Sequence, residues 1–406
     1  MRIRSRRGAF ARVLLVGLQA LLSLLLVEAA CRILRPARPS EFVSHPVLNH
    51  VLRPLATVEH AEWAASGIPL YRLKANRQSW IHPADVVRRK PPETFRIFYV
   101  GDSFVQGYGP AEQSMPARVG AALREPLARR GWRLELVNTG TPSYSPILYH
   151  ILVTRTLLSY SPDLIVLNVD MTDVFDDFLY RQTAVFDSAG APLACPAGSP
   201  LKGRYVRSPD GLREPGRLEA FMIRVRTYSR FVDIIMNRTA RYQGTLNWRV
   251  GAPARIGRNA GLPRLFDWCG PEWSDETRAL VGQSMSTLAA TLRAARAAHV
   301  RVVVTAVPHL GHFTGVYSLR PFEEVRRVCE AEGVPYLDSY AGMRGRFGSA
   351  GASACYIPGD MHFNPAGNRL WASVQSDLLR QYLETGVGAP ATVPGSGASP
   401  SRTAAP

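Results

Sequence analysis

The chain has 406 residues, a formal net charge of +17 and five cysteines. That length forms one large domain or two small ones around a buried core. The positive charge is nearly all Arg, scattered rather than blocked and without a nucleic-acid motif, which argues against a nucleic-acid reader and leaves anionic lipid or acidic polysaccharide as neighbours.

Residues 1–35 read as a targeting segment. Arg2, Arg4, Arg6, Arg7 and Arg12 precede an apolar run from Val13 to Cys31, interrupted only by Gln19, Ser23 and Glu28. The run is about long enough to cross a bilayer as a helix, and its basic flank keeps the N-terminus in the cytoplasm. Glu28 stands where a cleavage site needs a small residue, so the helix is expected to stay as an uncleaved anchor. The rest of the chain then faces the periplasm or cell exterior, from a single pass through the bacterial cytoplasmic membrane. Residues 36–94, rich in Pro, Arg and His and weak in periodicity, read as a stalk and an N-terminal cover.

From residue 95 the pattern alternates strand and helix. Ile97 to Val100, Leu134 to Asn138, Leu164 to Asn168, Arg301 to Val307 and Pro335 to Asp338 read as strands. Met115 to Arg130, Ile147 to Ser159, Asp275 to His299, Pro321 to Glu332 and Asn368 to Leu383 read as helices. Such alternation predicts a parallel sheet, whose active site gathers beyond the strand C-termini. From Gly386 the Gly, Ala, Pro, Ser and Thr composition predicts a disordered tail.

Two short stretches carry chemistry. The first strand ends on Gly101-Asp102-Ser103 and enters a helical pattern followed by Gly107 and Gly109. A serine there sits near a helix N-terminus, where free amides favour a developing negative charge. Far downstream, Asp360 and His362 share one loop. A serine hydroxyl needs a base, neutral histidine serves best near pH 7, and the histidine needs a carboxylate to fix its tautomer.

Together these stretches resemble the SGNH/GDSL hydrolase family, over roughly Phe95 to Leu383 with a poorly matched interior. Gly101-Asp102-Ser103-Phe104 corresponds to its first block. Asp360 and His362, followed by Asn364-Pro365-Ala366-Gly367, correspond to its last. The resemblance implies an α/β fold, a three-layer sandwich around a central mostly parallel, flavodoxin-like sheet, and serine ester chemistry with Ser103, Asp360 and His362 as catalytic residues. Three departures stand out. The last block is Asp-x-His rather than Asp-x-x-His, a variant that similar bacterial polysaccharide acetyl-transfer proteins share. Ser143, in the second block Asn138 to Tyr144, falls where the family has its oxyanion glycine. Thr172 takes the place of the third block's Asn. The implied oxyanion hole is the amides of Ser103 and Ser143, with Thr172 or Asn168 standing in for the carboxamide.

Around these motifs, Asp102, Tyr108, Tyr144, His309 and Phe363 are expected to line the substrate, the aromatic residues by stacking on sugar faces. None of the patterns calls for a cofactor. The Asp170, Asp173, Asp176 and Asp177 cluster reads as capping and a solvated face rather than a metal site. Residues 185–275 read as an insertion with a helix from Leu218 to Thr239, whose basic residues include Arg224, Arg226, Arg230 and Arg238; a lid, an interfacial helix on anionic lipid and a core-packed helix all fit. In an oxidising compartment, Cys195–Cys269 and Cys329–Cys355 are the expected bridges. The expected function is an esterase or acyl hydrolase acting on acylated carbohydrate such as O-acetyl polysaccharide. An O-acetyltransferase of a cell-surface polysaccharide and a catalytically degenerate glycan-binding protein of envelope assembly are the alternatives.

Overall fold

A computed structural model describes residues 2–34, 41–60, 68, 71–197, 265–347 and 351–386, and, between 206 and 235, residues 206–208, 211–213, 217–218, 221, 225, 229–232 and 234–235. The expected tail beyond Gly386 and much of the expected helix Leu218–Thr239 lie outside these residues. The chain divides into two compact units, Met1–Ser40 with Ser199–Arg264, and Glu41–Gly198 with Leu265–Pro406.

In the first unit, helix α1 (Arg2–Leu34) contains a 25-residue stretch, Phe10–Leu34, with a mean hydropathy of 2.2 and none of it buried. Among the described residues it is the one helix long and apolar enough to cross a membrane.

The second unit opens with two antiparallel hairpins where the sequence shows only weak periodicity. Strands β1 (Phe42–His45) and β2 (Asn49–Leu52) pair, as do β3 (Thr57–His60) and β4 (Tyr71–Lys74). Trp80, Ile68, Tyr71 and Ile81 of this region are buried, so it covers the fold as part of its core.

The central sheet holds β5 (Thr94–Val100), β6 (Arg133–Asn138), β7 (Leu164–Val169), a strand at Arg301–Ala306 and a short one at Tyr336–Leu337. All five are parallel, with β6 on one edge, β5 beside it, then β7, Arg301–Ala306 and Tyr336–Leu337. Side chains alternate across this sheet with the period of two that a strand imposes. Phe98, Val100, Ile165, Leu167 and Val169 enter one core, with Ile147 and Ile151 of helix α4 (Pro146–Arg155) and Leu288 and Leu292 of the Asp275–Ala297 helix. Ile97, Tyr99, Leu164 and Val166 enter the other, with Val119 and Leu123 of α3 (Met115–Ala128) and Trp371 and Leu379 of the Pro365–Gly386 helix. Helix, sheet and helix thus form the three expected layers.

Local chemistry sets the helix limits. Ser274 Oγ accepts the Thr277 amide at 3.1 Å, with Asp275 and Glu276 in the first turn, a favourable N-terminus. The helix expected through Ser159 instead stops at Arg155 and continues as a 3-10 turn over Leu157–Tyr160, which closes on Ser161 in the left-handed region. The closing helix starts earlier than expected, because Asn364 Oδ1 accepts the Ala366 and Gly367 amides at 2.9 and 3.0 Å.

All five cysteines are free, contrary to the two bridges expected. Cys329 and Cys355 lie in cores on opposite sides of the sheet. The Cys195 thiol sits among Thr183, the Tyr180 carbonyl and Asn49. Burial pushes the thiols of Cys195, Cys269 and Cys329 up, the last to about 12, so they are inert apolar fillers.

Candidate active site

The sheet order reverses direction between β5 and β7, since β5 leads to β6 on one side and β7 continues the sheet on the other. That is the crevice where open α/β sheets place their sites. Ser103 follows β5 directly and opens the short helix α2 (Ser103–Gln106), while Asp170 and Thr172 follow β7.

Close backbone approach requires glycine on both sides of this turn. A Cβ on Gly101 would lie 2.3 Å from Val105 Cγ2, and one on Gly140 would lie 2.3 Å from the Gln106 nitrogen. Asn138 ties the two loops: its Nδ2 donates to the Val105 carbonyl at 2.9 Å and its Oδ1 accepts the Gly140 amide at 2.9 Å.

Ser103 Oγ lies 2.7 Å from His362 Nε2. His362 Nδ1 is hydrogen-bonded to Asp360 Oδ1, which also accepts the His362 amide at 2.9 Å. One carboxylate oxygen therefore fixes both the backbone and the ring of the residue two positions on, which is how an Asp-x-His spacing aims the imidazole. Burial alone would raise the Asp360 carboxyl, but hydrogen bonding and charge from His362 hold it below the ordinary carboxylate range. Asp360 remains an anion, able to stabilise an imidazolium. The loop is braced by the His362 carbonyl accepting the Ile357 amide at 2.9 Å and by Asn364 Nδ2 reaching the Ala354 and Tyr356 carbonyls.

A second histidine–aspartate pair lies nearby. Phe104's ring contacts His362 at 4.7 Å between centroids and His309 at 5.0 Å. His309 Nε2 is 2.6 Å from Asp170 Oδ1. His309 also opens the Leu310–Phe313 turn, its carbonyl accepting the His312 amide at 3.0 Å and its own amide donating to His312 Nδ1 at 3.0 Å. An ionised carboxylate only accepts, so a proton sits on His309 Nε2 and is donated to Asp170. Asp170 Oδ2 accepts the amide of Thr172 at 2.9 Å and its hydroxyl at 2.8 Å. Burial opposes the Asp170 charge, yet His309 and then the two Thr172 donors hold its carboxyl below the usual range. Its neighbours respond oppositely. Burial first, and the Asp170 charge second, push Asp102 and Asp173 well up.

These bonds correct several expectations. His309, expected to line the substrate, is buried and bonded to Asp170 through Nε2. The Thr172 hydroxyl is turned onto Asp170. Asn168 Nδ2 donates to the Val100 and Val166 carbonyls at 3.1 and 3.3 Å, so neither side chain holds a donor in reserve for an oxyanion. Tyr144 and Phe363, 2% and 1% exposed, pack in the core, and the Tyr144 hydroxyl donates to the His50 carbonyl at 2.7 Å. Asp102 is buried beneath Ser103, its Oδ1 accepting the Phe104 amide at 2.9 Å. The cluster Asp170, Asp173, Asp176 and Asp177 is buried rather than solvated. Asp177 accepts from Ser145, Ile147 and Ser284, which locks α4, helix α5 (Asp173–Arg181) and the Asp275–Ala297 helix together.

Tyr108 lies 4.4 Å from the His362 ring. Ser143 has φ +64°, the left-handed conformation that glycine adopts at no cost. The amides of Ser103 and Ser143 find no acceptor among the described residues. Sequence reasoning missed the Asp170–His309 pair, because each residue alone reads as a loop polar group and only the sheet register brings the two loops together.

A family profile described as "GDSL-like Lipase/Acylhydrolase family" matches residues 99–370. No curated protein matches the chain. Among solved structures, an acetyl-xylooligosaccharide esterase from Geobacillus stearmophilus aligns at 10% identity and a TM-score of 0.38, over 72% of this chain and 96% of that one. A psychrotrophic esterase from Pseudoalteromonas aligns at 11% identity and a TM-score of 0.37, over 71% and 98%. A lipolytic protein of the G-D-S-L family from Desulfitobacterium hafniense aligns at 12% and 0.35, over 70% and 98%.

Proposed function

Since the chain belongs to the GDSL-like lipase/acylhydrolase family, and is thereby a serine ester hydrolase, we propose that Ser103, His362 and Asp360 form its catalytic triad and that it removes small acyl groups, such as O-acetyl, from carbohydrate outside the cytoplasmic membrane. The observation that carries the triad is the chain of hydrogen bonds from Ser103 Oγ through His362 to Asp360. Ser103 attacks the ester carbonyl while His362 takes its proton. The amides of Ser103 and Ser143 hold the oxyanion. His362 then protonates the leaving alcohol, and water, activated by the same imidazole, releases the acid.

Two features support a small acyl group on a polar carrier. Ser103 and His362 are only 8% and 7% exposed, which admits a compact acyl group better than a long chain. Tyr108, half-buried beside His362, supplies an aromatic ring next to the catalytic imidazole. The membrane reading rests on Phe10–Leu34, a predominantly apolar stretch with none of it buried; a helix of that kind needs lipid or a protein partner. We place the N-terminus inside and the second unit outside.

The test is a fluorophosphonate probe on the full chain in detergent, followed by acetyl release from an acetylated oligosaccharide. Labelling of wild type but not of Ser103→Ala is expected, with free acetate as product. Acetyl recovered on a second oligosaccharide instead would make the protein a transferase, because both reactions share the acyl-enzyme. Labelling that survives Ser103→Ala would remove the triad assignment.

A further inference from the structure

Glu28 is the one acid of α1 and lies within its apolar stretch Phe10–Leu34. An ionisable residue in a membrane span is costly and is retained with a partner. Glu28 has four. Its Oε1 accepts Arg32 Nε–H at 2.7 Å and the Arg230 amide at 2.8 Å, and its Oε2 accepts the Ser229 hydroxyl at 2.9 Å and the Phe231 amide at 3.0 Å. Three of these donors come from a segment some two hundred residues later in the chain.

The segment is built to receive a carboxylate. The Ser229 amide donates to the Val225 carbonyl at 2.8 Å, and Ser229 Oγ accepts the Val232 amide at 3.2 Å. Ser229 thus ends one helical turn and caps the next, leaving the amides of Arg230 and Phe231 as the first-turn donors that a helix cannot satisfy itself. A carboxylate is favoured at that end.

The position along α1 fixes the depth. Glu28 precedes Leu34 by roughly 9 Å of helix rise, so it lies near the boundary between acyl chains and headgroups, the depth at which an interfacial helix buries its apolar face, about 5–10 Å. Upstream of Ser229, Leu218 and Phe221 are 75% and 60% exposed, although both are apolar and helical. We infer that Glu28 clasps the Ser229–Phe231 turn to the outer end of the membrane helix and so lays the described part of residues 217–235 on the bilayer surface, with Leu218 and Phe221 in lipid. This rests on the anchor reading above. It also gives α1 a structural role in the folded protein, which a discarded leader would not have.

The experiment uses the full chain in phosphatidylglycerol-containing liposomes with a benzoylphenylalanine photo-crosslinker introduced at Phe221 or at Leu18. Lipid adducts are expected at both positions, with the Phe221 adduct lost in Glu28→Ala and reduced in Glu28→Gln, which keeps one acceptor oxygen. Fluorophosphonate labelling of Ser103 serves as the check that each variant is folded. A Leu18 adduct without a Phe221 adduct, or a Phe221 adduct indifferent to both Glu28 variants, overturns the clasp and leaves the anchor standing. Absence of the Leu18 adduct, or an intact mass lacking the N-terminal helix, overturns the anchor and the clasp with it.

Discussion

Two histidine–aspartate pairs contact the same ring, that of Phe104, and only one of them has its free end at a serine hydroxyl. In the His362–Asp360 pair the far nitrogen faces Ser103 Oγ. In the His309–Asp170 pair no hydroxyl among the described residues is bonded at the far nitrogen, and the carboxylate is taken by His309 Nε2 and by Thr172. The residue types are the same, yet the first pair can pass a proton to and from a serine, while the second ties two loops together. A histidine beside a carboxylate is therefore a base or a brace according to what its other nitrogen meets.

The sharpest way to break this contrast is to remove the free end. Ser103→Ala and His362→Ala should each lower ester turnover by roughly 10⁴-fold or more, and the double variant little further, because they act as a unit. Additive losses in kcat would mean that His362 is not the base for Ser103. His309→Ala addresses the brace. It leaves the buried Asp170 charge without its main partner, and about 3–5 kcal/mol of stability should go, read as a shift in the urea midpoint. A His309→Ala protein as stable as wild type, but slowed and with an altered pH–rate profile, would show instead that the second pair works as an acid or base.

The pH dependence of stability comes next in size. Burial first, and the neighbouring His309 second, drive His312 from 6.5 down to about 3. The unfolded chain takes up a proton below about 6.5 and the folded chain does not. Stability from this residue is therefore complete above that pH and declines by about 1.4 kcal/mol per unit as the pH falls toward 3. Burial lowers His50 and His150 as well, adding to the same slope. Urea melts between pH 7 and 5 should show it, and His312→Phe should flatten it; an unchanged slope would count against a neutral buried ring.

Thr172→Val tests the brace at its weakest point. Losing one donor to Asp170 should cost about 1–2 kcal/mol of stability while kcat stays within about tenfold of wild type. A fall of roughly 10²–10³ in kcat would restore Thr172 to the oxyanion hole. The smallest effect is expected from Ser143→Gly, which relieves a left-handed φ of +64°. Stability should rise by up to about 1 kcal/mol with the rate unchanged; a loss of rate would mean that the Ser143 side chain takes part.

What the sequence determined by itself was local. A strand ending on Gly101-Asp102-Ser103, the Asp360–His362 loop and the alternation of strands and helices are patterns of adjacent residues, and each appears in the structure at the expected place. Even Ser143 was legible as an odd choice at a glycine position, because backbone conformation is a property of one residue. What only the tertiary structure decided is where polar atoms find partners. Thr172, Asn168 and His309 each look like spare donors in the sequence. Parallel pairing of β7 with the Arg301–Ala306 strand sets their ends side by side, so His309 meets Asp170, while Asn168 turns back onto the carbonyls of its own sheet. Cys329 and Cys355 went the same way, because the sheet holds the two thiols in cores on its opposite faces. Buried polar groups must be satisfied by whatever the fold places within about 3 Å, and that distance is a property of the packed molecule rather than of any stretch of its chain.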